Sequence, residues 1–193
     1  VVAVSGTSLT DGHAHIIKRI TKNVQIAYDG DDAGKSAAIR AGYILLKNGL
    51  NPSIVEIQDG KDPDSWILDS GSEPFLRSTK NAIPLIRFSY DNYKKESGSD
   101  IVTFINDTID ELSNISDHII TEIYLKKLSE ITEISFDSIK RNFDDIIKKR
   151  DKRAQYYKER SYTNSSTSVS IEEDILMLCF SRNKEIRAQI YNN

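Results

Sequence analysis

Two aspartate-rich segments of the 193-residue chain hold the side chains best suited to chemistry. The first, DGDDAG at 29–34, follows the apolar run VQIAY and leads into GKSAAIRAGYILLKNG, whose apolar spacing is that of a helix. The second, DGKDPD at 59–64, follows the apolar run SIVEI. Each segment therefore lies at the point where a predicted strand ends.

Carboxylates spaced two residues apart suit a hard divalent cation. Mg²⁺ prefers oxygen ligands and is usually held by one or two carboxylates together with substrate phosphates. Asp29 and Asp31 lie on the same side of an extended segment, because side chains alternate there, and Asp62 and Asp64 repeat the arrangement. These four aspartates are the predicted metal ligands, and Lys35 is a candidate for neutralising a bound phosphate.

Two other loop types fit the first segment less well. A phosphate-binding P-loop needs four residues between its glycines, but only three separate Gly30 from Gly34, and Asp29 occupies the place of the first glycine. An EF-hand would have Ala33 and Arg40 at positions that must supply calcium ligands. Plain turn chemistry, favoured by Asp-Gly and Asp-Pro, remains an alternative for either segment taken alone.

Residues 1–70 alternate strand and helix patterns, with strands predicted at VVAVSG, VQIAY and SIVEI. Strands separated by single helices pair in parallel, and their ligand sites lie beyond the carboxyl ends of the strands. The predicted fold class is therefore an α/β parallel sheet whose loops 5–7, 29–34 and 59–64 meet at one edge. That convergence favours a metal site over two unrelated turns.

Helical patterns replace the strand patterns after residue 70. Residues 71–150 are predicted to form an all-α bundle, with Pro84 as a break, helix caps at Ser116 and Ser135, and a core-facing stripe in the helix that begins near residue 101. Residues 151–170 are almost free of aliphatic side chains and end in a Ser/Thr/Asn run, which predicts a linker. A new apolar pattern over 171–193 is interpreted as the start of another helical module.

The phrases SGTSLT, AYDGDDAGKSAAIRAG and QDGKDPDSWI resemble the Toprim fold, and specifically the bacterial DnaG-type DNA primases. The resemblance runs from Val1 to about Arg150. It implies synthesis of short RNA primers on single-stranded DNA from ribonucleoside triphosphates, with Mg²⁺ (or Mn²⁺) as cofactor, at the replication fork in the cytoplasm. It also implies that Asp29 and Asp31 bind the metal, and that Asp62 and Asp64 are acidic active-site residues.

The same resemblance divides the chain by function. Residues 1–70 match the C-terminal part of the Toprim domain, 71–150 the bundle that closes the polymerase domain, and 171–193 the start of a module that binds the replicative helicase. The family's first Toprim motif has a glutamate that is expected to precede Val1, and its zinc is expected in a separate N-terminal module. The chain is therefore expected to be an internal segment without activity of its own.

Composition and other motifs leave few alternatives. With 38% hydrophobic and 28% charged residues the chain is predicted to fold, and no apolar run approaches the length of a membrane span. A single cysteine, Cys179, excludes an internal disulfide framework and is typical of a reducing compartment.

Two alternative functions remain. One is another Toprim enzyme, a metal-dependent nuclease or topoisomerase. A helix-turn-helix DNA-binding protein is another, because YLKKLSEITEISFDSIKRNF precedes a basic run.

Overall fold

The structure is a computed structural model and describes residues 1–4, 8–97 and 100–164. It divides the chain into two compact units, Val1–Ile147 and Lys148–Asn193. Within the described residues there are eight helices and three strands. In chain order they are α1 (Asp11–Lys18), β1 (Asn23–Ile26), α2 (Asp32–Lys47), β2 (Asn51–Ile54), α3 (Pro63–Ser70), α4 (Ser72–Lys80), β3 (Ile83–Pro84), α5 (Leu85–Ser97), α6 (Ile101–Leu112), α7 (His118–Thr132) and α8 (Phe136–Asn164).

The sheet has the order β1-β2-β3 and is mixed. β1 and β2 pair in parallel, with Ile26 opposite Ile54, as the strand–helix–strand pattern predicts. β3 pairs antiparallel to β2 through Ile83 and Pro84, and the prediction that strands end before residue 71 is wrong at this point. The predicted first strand is also wrong for residues 1–4, which are not in a strand; residues 5–7 lie outside the described part.

One core joins the sheet to the helices that follow it. Leu45 of α2, Ile54 of β2, Leu85 of α5 and Ile109 of α6 are all essentially inaccessible and belong to a single apolar cluster. The core-facing stripe predicted for α6 is confirmed, because Phe104, Ile105 and Leu112 are buried with Ile109. The α/β part and the helical part up to Ile147 are therefore packed on each other.

Helix ends follow from local sequence at most positions. Thr10 caps α1 and Gly49 follows the end of α2 with φ +77°, both as predicted. The predicted cap at Ser116 is wrong by one residue, because Asp117 accepts the backbone N–H groups of Ile119 and Ile120. Glu133 is the C-cap that follows α7, and it is the one non-glycine residue with positive φ (61°) in the described part of the chain.

α8 continues to Asn164, through the first part of the predicted linker. Residues 151–160 are rich in Lys, Arg, Gln, Glu and Ala, which have high helix propensity, and this explains a helix where the sequence has no core-facing pattern. Residues 165–193, including the predicted module over 171–193, lie outside the described residues. No helix within the described ranges is long and apolar enough to cross a membrane.

Candidate active site

The first aspartate segment turns the chain from β1 into α2. Asp31 is the N-cap of α2, and its Oδ1 accepts the backbone N–H of Gly34 at 2.6 Å. Position 34 requires glycine for steric reasons, because a Cβ there would lie 2.3 Å from the main-chain oxygen of Asp29. The helix cap thus fixes one oxygen of Asp31 and, with it, the orientation of the carboxylate. The second oxygen remains available to a ligand.

The second segment makes the same kind of turn into α3. Asp62 is the N-cap and Pro63 the first helical residue, a position that suits the fixed φ of proline. Oδ1 of Asp62 accepts a hydrogen bond from the backbone N–H of Ser65 at 2.8 Å, and Oδ2 of Asp62 accepts one from the Ser65 hydroxyl at 2.9 Å. These bonds, the one from the backbone first, lower the pKa of Asp62 below its usual value. Asp64 follows in the first turn and is exposed.

The two segments are bonded to each other at the carboxyl edge of the sheet. The backbone N–H of Gly30 donates to the carbonyl oxygen of Lys61 at 2.8 Å. Gly30 lies so close to the strand extension that a Cβ would be 2.1 Å from the main-chain oxygen of Gln58. Asp29 and Asp31 therefore flank a glycine that touches the residue immediately before Asp62. The sequence-based prediction that these two loops meet is confirmed.

Lys35 makes a second link between the loops. Its Nζ lies 2.6 Å from Oδ1 of Asp59, and the lysine side chain is 13% exposed while that of Asp59 is 82% exposed. The hydrogen bond raises the pKa of Lys35 and lowers the pKa of Asp59. In this structure the charge of Lys35 is thus matched by a protein carboxylate, so the predicted phosphate contact requires Lys35 to be shared with Asp59 or released by it.

Three residues of this edge were missed by sequence reasoning about chemistry. Gly30 and Gly34 act through close backbone approach, and their occurrence inside an aspartate-rich turn is the available signal. Asp59 precedes the predicted ligands Asp62 and Asp64. Its ion-pair partner Lys35 lies 24 residues away, so no local sequence pattern identifies that ion pair. The site as built consists of two capped helix N-termini, the aspartates beside them and one cross-loop ion pair.

The donor set fits a divalent cation bound by a pair of carboxylates. Among the described residues, no three His, Cys, Asp or Glu side chains are grouped closely enough to hold a metal ion by themselves. Mg²⁺ does not need such a cage, because substrate phosphates and water complete its octahedron. Asp29 and Asp31 lie two residues apart, and one oxygen of Asp31 is already oriented by the backbone N–H of Gly34. Metal binding by Asp29, Asp31, Asp62 and Asp64 stays a prediction.

Comparisons with known proteins agree with this arrangement. A family model described as Toprim-like matches residues 1–67, the part that contains both aspartate segments. DNA primase of Listeria innocua is 33% identical over 185 residues, and that of Clostridium acetobutylicum is 34% identical over 143 residues. The chain matches a segment of the bacterial DnaG-type DNA primases. The predicted fold class, a Toprim-like sheet followed by helices, is confirmed as well.

The similarity to these primases covers most of this chain but a minor part of theirs. The alignments cover 92% and 72% of the chain, and 30% and 24% of the Listeria and Clostridium proteins. A crystal structure of the zinc-binding and RNA polymerase domains of the Aquifex aeolicus primase superposes with a TM-score of 0.59 at 27% identity, over 72% of this chain and 34% of that one. The chain thus corresponds to roughly a third or less of each of these primases.

Proposed function

We propose that the chain forms part of the polymerase centre of a DNA primase, which joins ribonucleotides into short RNA primers on single-stranded DNA. The observation that carries the proposal is the contact between the two aspartate loops at the Gly30–Lys61 hydrogen bond of 2.8 Å. It brings two acidic turns, each at a helix N-terminus, to one edge of a parallel strand pair. Open sheets bind their ligands at this edge.

Asp29 and Asp31 are proposed to hold the divalent cation, Mg²⁺ or in its place Mn²⁺. When bound, such a cation orients substrate phosphates and offsets the negative charge that develops during nucleotidyl transfer. Gly34 orients Asp31 through the 2.6 Å hydrogen bond from its backbone N–H. The N-terminus of α2 adds a positive potential where phosphates approach the loop.

Asp62 and Asp64 are proposed as the second acidic pair of the centre. Ser65 keeps the Asp62 carboxylate ionised and directed along the cap, since both its oxygens accept hydrogen bonds from that residue. Lys35 is proposed to hold loop 59–64 against α2 through Asp59 and to offer its remaining N–H groups to a phosphate. The template DNA, the ribonucleoside triphosphates and a replicative helicase are the proposed partners of the complete protein.

The roles proposed for the segments follow the sequence divisions. Residues 1–70 are assigned to the Toprim part and 71–150 to the helical bundle beside it. The common apolar core of these two parts, from Leu45 to Ile109, supports a bundle that stiffens the site rather than an independent module. Residues 151–170 as a connection and 171–193 as part of a helicase-binding module stay predictions.

The test is primer synthesis by the complete protein with Asp31→Asn or Asp29→Asn. Incorporation of labelled ribonucleotides on single-stranded DNA is expected to fall about a hundredfold or more, since a metal contact to phosphate contributes several kcal/mol. Asp32→Asn is the matched control, because Asp32 lies in the same loop but is the first residue of α2 and outside the proposed pairs. Equal activity of all three variants would contradict the assignment. Strand cleavage in place of incorporation would favour the nuclease alternative.

A further inference from the structure

A cleft beside the second aspartate loop shares Asp59 with the site described above, but its other side chains have no role there. It is open to solvent and has a volume of about 500 Å³, within the range of small-molecule sites. Its walls come from the residues after β2 and from α3 and α4. The residues that matter for its chemistry are Glu56, Gln58, Asp59, Trp66, Arg77 and Asn81.

Trp66 supplies a fixed aromatic surface in this cleft. The indole is half-buried and packs edge-to-face against Phe75 of α4, with ring centroids 6.3 Å apart and planes at 80°. Packing of one ring on the other restricts the rotamers of Trp66, so a second planar group that stacks on it loses little side-chain entropy. Stacking on aromatic side chains is a common way for proteins to hold nucleobases without reading their sequence.

Polar groups around the indole are free to bind a ligand. Within the described residues, the side chains of Gln58, Arg77 and Asn81 make no hydrogen bond or ion pair, and all three are exposed. Primary amides present a donor and an acceptor side by side, which matches the edges of nucleobases, and a guanidinium offers a planar donor fork. An aromatic face with amides and a guanidinium at its margin is suited to a flat, polar, aromatic ligand.

The charges of the cleft exclude a phosphate as its main occupant. Glu56 and Asp59 line the same walls as Arg77, and the positive charge nearest to Asp59 is that of Lys35, which is already paired with it at 2.6 Å. Acidic groups oppose an anion, but they accept hydrogen bonds from exocyclic amines and from ribose hydroxyls. A base or nucleoside therefore fits better than a triphosphate.

We infer that this cleft binds the base of a ribonucleotide whose phosphates lie toward the aspartate loops. The inference rests on the proposed function for the direction of the phosphates. Gln58 and Asp59 belong both to the cleft and to the loop that ends at Asp62 and Asp64, so base and phosphates of one nucleotide would contact adjacent parts of the same loop. Because the base is held by stacking and amides rather than by the cation, its binding is independent of Mg²⁺.

Trp66 is the only tryptophan in the chain and reports on the cleft directly. The experiment titrates the 193-residue chain with each of the four ribonucleoside monophosphates, without divalent cation, with excitation at about 295 nm to avoid nucleotide absorbance. Saturable quenching is expected for at least one nucleotide. Tripolyphosphate and ribose 5-phosphate, which carry no base, are expected to leave the fluorescence unchanged. Free tryptophan amide corrects for quenching by collision.

Variants separate specific binding from incidental quenching. Arg77→Ala and Asn81→Ala are each expected to weaken nucleotide binding about fivefold, the effect of one lost hydrogen bond. Lys80→Ala, on the same helix but outside the cleft walls, is the matched control and is expected to bind like the unaltered chain. The circular dichroism spectra of the three variants verify that the helices are intact.

Three results would overturn the inference: no saturable quenching, equal quenching by tripolyphosphate, or affinities unchanged in both cleft variants. These outcomes are separate from those of the primer-synthesis test. Nucleotide binding in the cleft together with an active Asp31→Asn protein would contradict the metal assignment and support the base site. Metal-dependent primer synthesis without quenching would support the metal assignment and contradict the base site.

Discussion

Replacing Gly30 with alanine is the perturbation whose consequence follows most directly from the geometry of the site. A Cβ at this position would lie 2.1 Å from the carbonyl oxygen of Gln58 and 2.9 Å from that of Ile57. Both obstacles are main-chain atoms of the segment that continues β2, so no side-chain rotation relieves the contact. Moving the carbon from 2.1 Å to an acceptable distance above 3.0 Å requires a shift of about 1 Å between the two loops.

The cost of that shift is about 2–3 kcal/mol in the free energy of unfolding. Overpacking by one methyl group typically costs about 1–3 kcal/mol, and loss of the Gly30–Lys61 hydrogen bond adds about 1 kcal/mol. The smaller conformational freedom of unfolded alanine offsets about 0.5 kcal/mol. Urea denaturation followed by circular dichroism measures the sum. Trp66 fluorescence in the same titration reports on α3, next to the displaced loop.

Gly12→Ala is the control for this experiment. Gly12 lies in α1, where a Cβ would meet nothing closer than the Thr10 Oγ1 at 3.6 Å. Alanine is the better helix former, so the free energy of unfolding is expected to stay constant or to rise by up to about 1 kcal/mol. If Gly30→Ala changes stability by less than about 0.5 kcal/mol relative to this control, the close contact between the loops is wrong.

Three further predictions address the ion pair, a helix end and acid stability. Lys35→Met and Asp59→Asn are each expected to weaken Mn²⁺ binding at the loops by loosening their link, and the Lys35→Asp/Asp59→Lys exchange is expected to restore it; calorimetry that finds the exchange no better than either single variant would refute a positioning role. Glu133→Gly is expected to raise the free energy of unfolding by about 0.5–1 kcal/mol in urea titrations, because glycine adopts the φ of 61° at the end of α7 without strain, and no gain would argue against that backbone conformation. The pKa of Asp100 is lowered, chiefly by the hydroxyl of Thr103, so its contribution to stability is present above the usual aspartate pKa and is lost as pH falls through the lowered value. Asp100→Asn is therefore expected to lose stability at neutral pH and to show a shallower decline than the unaltered chain between about pH 5 and pH 2, whereas parallel curves would contradict the shift.

Local signals account for the parts of the fold that were predicted correctly. A capping threonine, a glycine at a helix end and aspartates at strand–helix turns act within a few residues of themselves, so the sequence around them is sufficient. The parallel pairing of β1 with β2 also follows from order alone, because a single helix lies between them. The meeting of the two aspartate loops is a consequence of that topology.

The features that were missed depend on partners distant in sequence. β3 is a two-residue strand that contains Pro84, and only its position beside β2 makes it a strand. Lys35 pairs with Asp59 because the fold brings α2 to the loop after β2, not because of any local spacing. Residues 1–4 have strand composition, yet a strand needs a neighbour for its backbone hydrogen bonds, and these residues pair with none within the described part of the chain.

The proposed metal site at Asp29 and Asp31 can be located by paramagnetic broadening, by Mn²⁺, of the backbone amide signals of the 193-residue chain. We expect broadening centred on residues 29–31 and extending to Lys61 across the loop contact. The broadening is expected to be lost in the Asp29→Asn/Asp31→Asn double variant but not in Asp32→Asn. Broadening that persists in the double variant, or that is centred on other acidic residues such as Asp107 and Asp110 of α6, would contradict a metal site built on this pair of aspartates.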